Sequence, residues 1–277
     1  MNFEAIVSTI DSLPPLLDTT LIINKLYADG DENIDMKKLV IALESDALLC
    51  VNILKIVNSP LYSLSQQIIS IRQAITLLGT QKIYGLALSY SISNIVRANI
   101  RPYGVTNSVF NDISHLQSRL VLQWFSKVDA KTARYLSPLA LIMESGKLIL
   151  AKEIVKVSQI KEFNLGLSMS KNISQYENDI FGTSSYYVSG LLFDHWNLSP
   201  RYIDILKSLD FEYESKTKID VYVDILDIVR TAVNVQNILN EESITKASEM
   251  VEELGLNVDD FINTAEEIQM VYIENSR

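Results

Sequence analysis

Cysteine and histidine are nearly missing from this 277-residue chain: Cys50 stands alone, and His115 and His195 are its two imidazoles. A single thiol can close no intrachain disulfide, and a cysteine-based zinc site needs several, so a reducing compartment and a cytoplasmic address are expected. Gly and Pro are also scarce, nine and six residues, together about 5% of the chain where average usage is roughly 12%. So few turn-formers point to long helices joined by short loops. No stretch approaches the roughly 18 uninterrupted apolar residues of a membrane span, and Met1-Asn2-Phe3-Glu4 carries no basic segment of a secretion signal. Positive charge is in deficit, 24 Lys+Arg against 34 Asp+Glu. The overall balance lacks the basic surplus that phosphate contacts draw on, and no nucleic-acid partner is expected. G-x-G-x-x-G, the P-loop, H-E-x-x-H and G-x-S-x-G are all absent, which removes the common nucleotide, zinc-protease and serine-hydrolase signatures.

What is present is apolar periodicity. Val221, Ile225, Ile228, Ala232, Val235 and Leu239 step by three or four along one helical face, and this pattern recurs along the chain. Helices are predicted near 2–11, 17–29, 36–44, 47–57, 71–78, 81–98, 106–127, 131–153, 171–178, 185–196, 201–208, 218–240, 243–253 and 258–274. Segments 61–69, 99–105 and 209–217 are the predicted loops. Asp46 and Thr80 are the expected N-caps of two of these helices, and Ser70 and Ser174 have capping-box spacing to Gln73 and Glu177. Gly30, Gly79, Gly166 and Gly255 stand at predicted helix ends, and Pro60, Pro102, Pro138 and Pro200 at breaks or first turns. Pro102 and Gly104 interrupt two long helices and mark a junction between lobes. The acid is concentrated late: residues 241–277 hold ten acids and two bases, whereas residues 1–240 are close to neutral at 24 acids and 22 bases.

Residues able to carry chemistry are few. Cys50 lies among Leu48, Leu49, Val51 and Leu54 and reads as a small packed hydrophobe. His115 and His195 have no second imidazole or cysteine at helical spacing, so packing is the simpler role for each. Trp124 and Trp196, at helix ends, read as packing residues. The densest feature is Val57-Asn58-Ser59-Pro60-Leu61-Tyr62, followed by Ile69-Ser70-Ile71-Arg72-Gln73-Ala74-Ile75-Thr76-Leu77-Leu78-Gly79. Asn-Ser-Pro ends one helix, and Gly79 closes the next. A DNA-reading helix-turn-helix would want basic residues on its second helix, and only Arg72 is there.

These motifs, preceded by Leu13-Pro14-Pro15-Leu16 and Ile41-Ala42-Leu43-Glu44-Ser45-Asp46 in the same order, resemble the HDOD family, all-helical bacterial signalling domains related to the HD phosphohydrolases. The resemblance spans roughly residues 13–210. It implies an all-α, multi-helical HD-like bundle in two packed lobes: residues 1–98, a degenerate HD-like lobe over 99–210, and acidic C-terminal helices over 211–277 packed on that lobe. It also implies a mainly structural role for the motif residues Asn58, Ser59, Pro60, Tyr62, Ala74, Leu78 and Gly79. Leu139–Leu150 is similar to the segment that carries the His-Asp pair in catalytic relatives, and Met143-Glu144 stands at that place. A thioether is a poor substitute for imidazole at a hydrolytic centre, and one carboxylate alone is insufficient. Ser185 stands where relatives have a histidine, and Leu209-Asp210 ends a helix where another occurs. Asp112 or His115 could take the first ligand place, and Asp227 or Thr231 the last.

The expectation is therefore no metal, no cofactor and no hydrolysis: a non-enzymatic bacterial signalling module that works through protein partners. The 67 residues after Asp210 hold only about three helices, so an output must come from such a partner, and the acidic region is the feature to test against a basic surface. The competing reading is a degenerate pocket of Asp112, His115, Glu144 and Ser185 that binds a nucleotide or other small molecule without cleaving it. Lys147 is the nearest cation for its phosphate. Residual phosphodiesterase activity is the third.

Overall fold

Short polar side chains start many of the helices. Asp46 accepts a hydrogen bond from Leu49 N at 2.9 Å, Ser70 from Gln73 N at 3.2 Å, Thr106 from Val109 N at 3.2 Å and Asn240 from Ser243 N at 2.8 Å. Each satisfies one of the amides that a first helical turn leaves open. The computed structural model describes residues 2–27, 34–62, 64, 66–210, 213 and 219–275. The helices are α1 (Phe3–Asp11), α2 (Asp18–Leu26), α3 (Met36–Glu44), α4 (Ala47–Val57), α5 (Ile71–Leu78), α6 (Thr80–Val96), α7 (Asn107–Phe125) and α8 (Ala130–Ile142). They continue as α9 (Ser145–Lys156), α10 (Ile160–Met169), α11 (Ile173–Phe181), α12 (Ser185–His195), α13 (Pro200–Ser208), α14 (Asp220–Ala232), α15 (Glu241–Glu253) and α16 (Val258–Asn275). Two 3-10 turns, Pro60–Tyr62 and Arg101–Tyr103, punctuate them. No β-strand occurs among the described residues, and none of the described helices is long and apolar enough to cross a membrane.

The predicted helix 131–153 is two helices, broken at Met143-Glu144. Ser189 on α12 donates to Met143 O at 2.7 Å and accepts from Gly146 N at 2.7 Å, so a neighbouring helix satisfies backbone groups at the break. Helix α10 falls in a segment with no predicted helix, and Gly166 lies inside it rather than at an end, beneath the Tyr176 ring. Pro138 is likewise interior to α8. Gly79, at φ +81°, and not Thr80 precedes the first turn of α6, and Asn172, not Ser174, caps α11. The predicted helix 218–240 ends at Ala232. Gly30 and most of the 209–217 loop lie outside the described residues.

One hydrophobic core runs from Ile6 to Ile268. Its most extensive pairings are α7 with α8, α12 with α13, α6 with α8 and α9 with α12. Two glycines allow the close approaches: a Cβ at Gly85 would lie 2.7 Å from the Pro138 side chain, and one at Gly146 would run into the Ser185 backbone. Helix α1 packs on α9 and α12, with Thr9 Oγ1 donating to Glu153 Oε1 at 2.6 Å. Helix α16 packs on α7 and on the Pro60–Tyr62 turn, Phe261 meeting Trp124 edge to face at 5.0 Å between centroids.

The Asn-Ser-Pro motif ties its turn to the helix before it. Asn58 Nδ2 donates to Leu54 O and to Ile68 O, both at 2.8 Å, while its Oδ1 accepts from Ile68 N at 2.8 Å. Tyr62 N bonds Ser59 O at 3.0 Å across Pro60. Ala74 is fully buried and Leu78 partly so. Cys50 is half-buried with its Sγ 3.1 Å from Leu43 O, but its neighbours Leu48 and Val51 face outward, 72% and 65% exposed.

Candidate functional site

The break between α8 and α9 aims Glu144 inward, where it meets Lys147 from the first turn of α9. Lys147 Nζ lies 2.5 Å from Glu144 Oε2 and 3.7 Å from Glu177 Oε1 of α11, and it donates to Ser185 Oγ of α12 at 2.9 Å. All four residues are buried. Each carboxylate also accepts hydrogen bonds from neutral donors, while Glu144 Oε2 has the Lys147 ammonium as its one partner among the described residues. Gln117 Nε2 of α7 and Tyr186 Oη of α12 each donate to Glu144 Oε1 at 2.9 Å. Tyr103 Oη donates to Glu177 Oε1 at 2.8 Å, and Ser185 N to Glu177 Oε2 at 2.6 Å. The ammonium also sits against two aromatic faces, 4.6 Å from the Tyr186 centroid and 5.7 Å from that of Tyr103.

Burial alone would push the Glu144 carboxyl up. The Lys147 charge and the hydrogen bonds from Lys147, Gln117 and Tyr186 outweigh it and hold the group below the ordinary carboxylate value. Burial opposes the Lys147 charge in the same way, and Glu144, Tyr186 and Glu177 more than offset it, so its pKa is raised. The centre thus sets one ammonium between two carboxylates. Toward solvent, Arg230 of α14 stacks over Tyr186, 4.4 Å from the centroid, and binds Asp227 Oδ1 at 2.5 Å. Beyond it opens a cleft of about 150 Å³ whose lining includes Lys171, Arg230, Thr231 and Lys246 together with Asp227 and Glu242.

The four residues grouped by sequence into one degenerate pocket do not all meet. Glu144 and Ser185 do, on either side of Lys147. Gln117, not His115, is the α7 side chain that reaches Glu144, because two residues along a helix turn a side chain to nearly the opposite face. His115 instead lies edge-on to Tyr62, at 6.2 Å, in a separate cavity. Asp112 is half-buried, with its carboxyl raised by burial. Asp210 accepts from Ser184 N at 3.1 Å just before α12, and Thr231 lines the outer cleft. His195 lies 3.2 Å from Leu13 O, and Trp196 Nε1 donates to Pro14 O at 3.0 Å, so both tie α12 to the segment before α2.

Sequence reading missed Glu177, Gln117, Tyr103, Tyr186 and Arg230, and cast Glu177 as a capping-box partner. A signal existed. Lys147 shares a helical face with Leu150 and Ile154, and Glu177 with Phe181, so a base and an acid each occupy a core-facing stripe. Opposite charges on two buried stripes are the pattern of a buried pair.

A family model described as the HDOD domain matches residues 13–209. Among solved structures, a provisionally named phosphohydrolase of Shewanella amazonensis SB2B superposes with a TM-score of 0.70 at 14% identity, over 98% of this chain and 95% of its own. An HDOD domain protein of unknown function from Geobacter sulfurreducens gives 0.69 at 19% identity, over 98% and 94%. A provisionally named signal transduction protein from Marinobacter aquaeolei VT8 gives 0.68 at 17% identity, over 97% of this chain and 60% of its own. At these identities the likeness is one of fold. No curated protein matches the chain significantly.

Proposed function

The chain belongs to the HDOD domain family, and on that premise we propose that it is a non-enzymatic regulatory module of the bacterial cytoplasm, acting through contacts with another protein. One observation carries the non-enzymatic part: the Lys147 ammonium stands between Glu144 and Glu177, bonded to the carboxylate at the place of the His-Asp pair. A hydrolytic metal needs several anionic or imidazole ligands converging on open space. Here both carboxylates already neutralise a fixed cation, Met143 is packed in the core and Ser185 is bonded to the same lysine. A divalent ion would have to displace a buried ammonium from its counter-charge. The residues therefore do not fit a metal, and Lys147 takes over the electrostatic part an ion would play.

Two surfaces support protein contacts. On α15 and α16 the acids Glu241, Glu249, Glu252, Glu253, Glu266 and Glu267 are exposed, a field that complements a basic partner. On α3 and α4, which pack together, Ile41, Leu48 and Val51 are apolar yet exposed.

Dialysis of the whole chain against Mn²⁺, Fe²⁺ and Zn²⁺ in turn, followed by metal analysis and a nucleotide hydrolysis panel, tests the non-enzymatic reading. The expected result is no stoichiometric metal and no turnover. One equivalent of metal with a turnover that disappears in Glu144→Gln overturns it. The small-molecule alternative rests on the cleft over Arg230, where Lys171 and Lys246 supply further positive charge. Asp227 already holds Arg230 there, and Glu242 shares the lining, so the cleft is a weak anion site and the protein-contact reading stands ahead.

A further inference from the structure

A second cluster of buried polar groups lies away from Glu144. Helix α7 carries both: Gln117 reaches the Glu144 centre, while His115 and Arg119 border a cavity of about 210 Å³ between α7, the Pro60–Tyr62 turn and the α5–α6 junction. Leu64, Leu77, Leu78, Leu116 and Leu122 form its apolar walls, and the polar side chains Tyr62, Lys82, His115, Arg119 and Gln123 share the lining. Lys82 of α6 is 5% exposed, and its one hydrogen-bond partner among the described residues is a neutral hydroxyl, Ser118 Oγ, which in turn bonds the Ser137 carbonyl. Among the described residues no acid pairs with it. Tyr62 Oη and His115 Nδ1 are buried with no hydrogen-bond partner among the described residues.

A buried ammonium without a counter-charge and two unpartnered polar atoms around one cavity are an unfavourable arrangement for folding alone. Burial pushes the Lys82 ammonium down to about 7, and burial, then the Lys82 charge, takes the His115 imidazole down to about 3. The missing group is an anion with oxygen acceptors for Lys82 and Tyr62. Arg119, the other cation of the lining, is only half-buried and has the Glu267 carboxylate acting on it, so the uncompensated charge is that of Lys82 alone. That charge matches a single negative charge, a carboxylate, better than the double charge of a phosphate, which calls for an Arg cluster or a helix N-terminus. The leucine walls call for an apolar body. An engineered apolar cavity of about 150 Å³ holds benzene, so this one takes a ring or a short alkyl chain with a head group.

We propose that this cavity binds a small monocarboxylic acid with an apolar body, its carboxylate on Lys82 and Tyr62 and its ring or chain against Leu78, Leu116 and Leu122. The bound acid would bridge α5–α6 to α7 and so couple the two lobes to a small-molecule input. The inference is independent of the reading of the Glu144 centre.

Calorimetric titration of the full chain with benzoate, phenylacetate and hexanoate, each beside its neutral amide, tests it. The acids are expected to bind one to one, and the amides at least about tenfold more weakly, a difference of about 1.4 kcal/mol. Because the anion restores the Lys82 charge, binding at pH 8 takes up a proton, read as a dependence of the heat on buffer ionisation. Lys82→Met abolishes acid binding, and Tyr62→Phe, the milder change, weakens it several-fold with the circular dichroism spectrum unchanged. Failure of all three acids to bind, amides binding as well as acids, or full binding by a folded Lys82→Met protein would each overturn the proposal.

Discussion

Lys147 is the residue on which the centre of this molecule turns. It is buried, it faces two buried carboxylates, and its removal leaves those carboxylates without their cation. Breaking a buried pair in this way costs about 3–5 kcal/mol. Lys147→Met is therefore expected to lower the urea midpoint by that equivalent, and the double variant Lys147→Met/Glu144→Gln to recover part of it. An unchanged midpoint in the single variant would show that the cluster contributes nothing to the fold. The pH dependence follows from the signs. Glu144 is held below its unfolded value, so its contribution is full above the ordinary carboxylate range and is lost as pH falls through the depressed value. Lys147 is held above its unfolded value, so its contribution is full below the ordinary lysine range and fades as pH rises past it. Wild-type stability should exceed that of the double variant by the largest margin near neutrality and converge toward it in acid.

At the scale of elements, the centre exists because α9 and α12 touch through a glycine. Gly146 N bonds Ser189 Oγ, and no side chain separates the two helices at that point. Any Cβ there meets the Ser185 backbone, which cannot swing aside as a flexible side chain would. Gly146→Ala is expected to destabilise by about 1–3 kcal/mol, as overpacking does, and to shift Ser185 away from Lys147. Thermal unfolding would check the first effect, and the chemical shifts of Ser185 and Ser189 the second. Most helices at this scale were legible from sequence: α3, α4 and α5 begin and end where periodicity and caps placed them. The failures share a cause. The α8–α9 break is satisfied by Ser189 from a distant helix, Gly166 is interior because Tyr176 packs over it, and Pro138 is interior in α8 where α6 presents Gly85.

Over the whole molecule, the acidic C-terminal helices are also structural. Their outer faces carry the acids, while Ile244, Ala247, Val251, Phe261, Ala265 and Ile268 are buried and Phe261 covers Trp124 of α7. Phe261→Ala is expected to cost about 3–5 kcal/mol, the usual penalty for a truncated core aromatic. By contrast, Glu249→Lys/Glu252→Lys/Glu253→Lys changes only exposed positions and should leave the melting temperature within a few degrees. Loss of a basic partner by that triple variant, with its melting curve intact, would mark the acidic face as the contact. A partner retained at full affinity would remove that face from the reading. Deleting residues 241–277 cannot make this distinction, because it uncovers the core of α7.

The sequence by itself determined the all-α class, most helix boundaries and the Asn-Ser-Pro turn. These depend on interactions within a few residues, where spacing along the chain is spacing in space. It did not determine which polar side chains meet. Asp112, His115, Glu144 and Ser185 were grouped by register, yet His115 belongs with Lys82 and Tyr62, and Glu144 with Lys147 and Glu177. That sorting depends on which face of α7 each neighbouring helix covers, a matter of 100° per residue and of close approaches such as Gly146 against Ser185. Only the tertiary structure supplies it, and with it the cation that stands between the carboxylates.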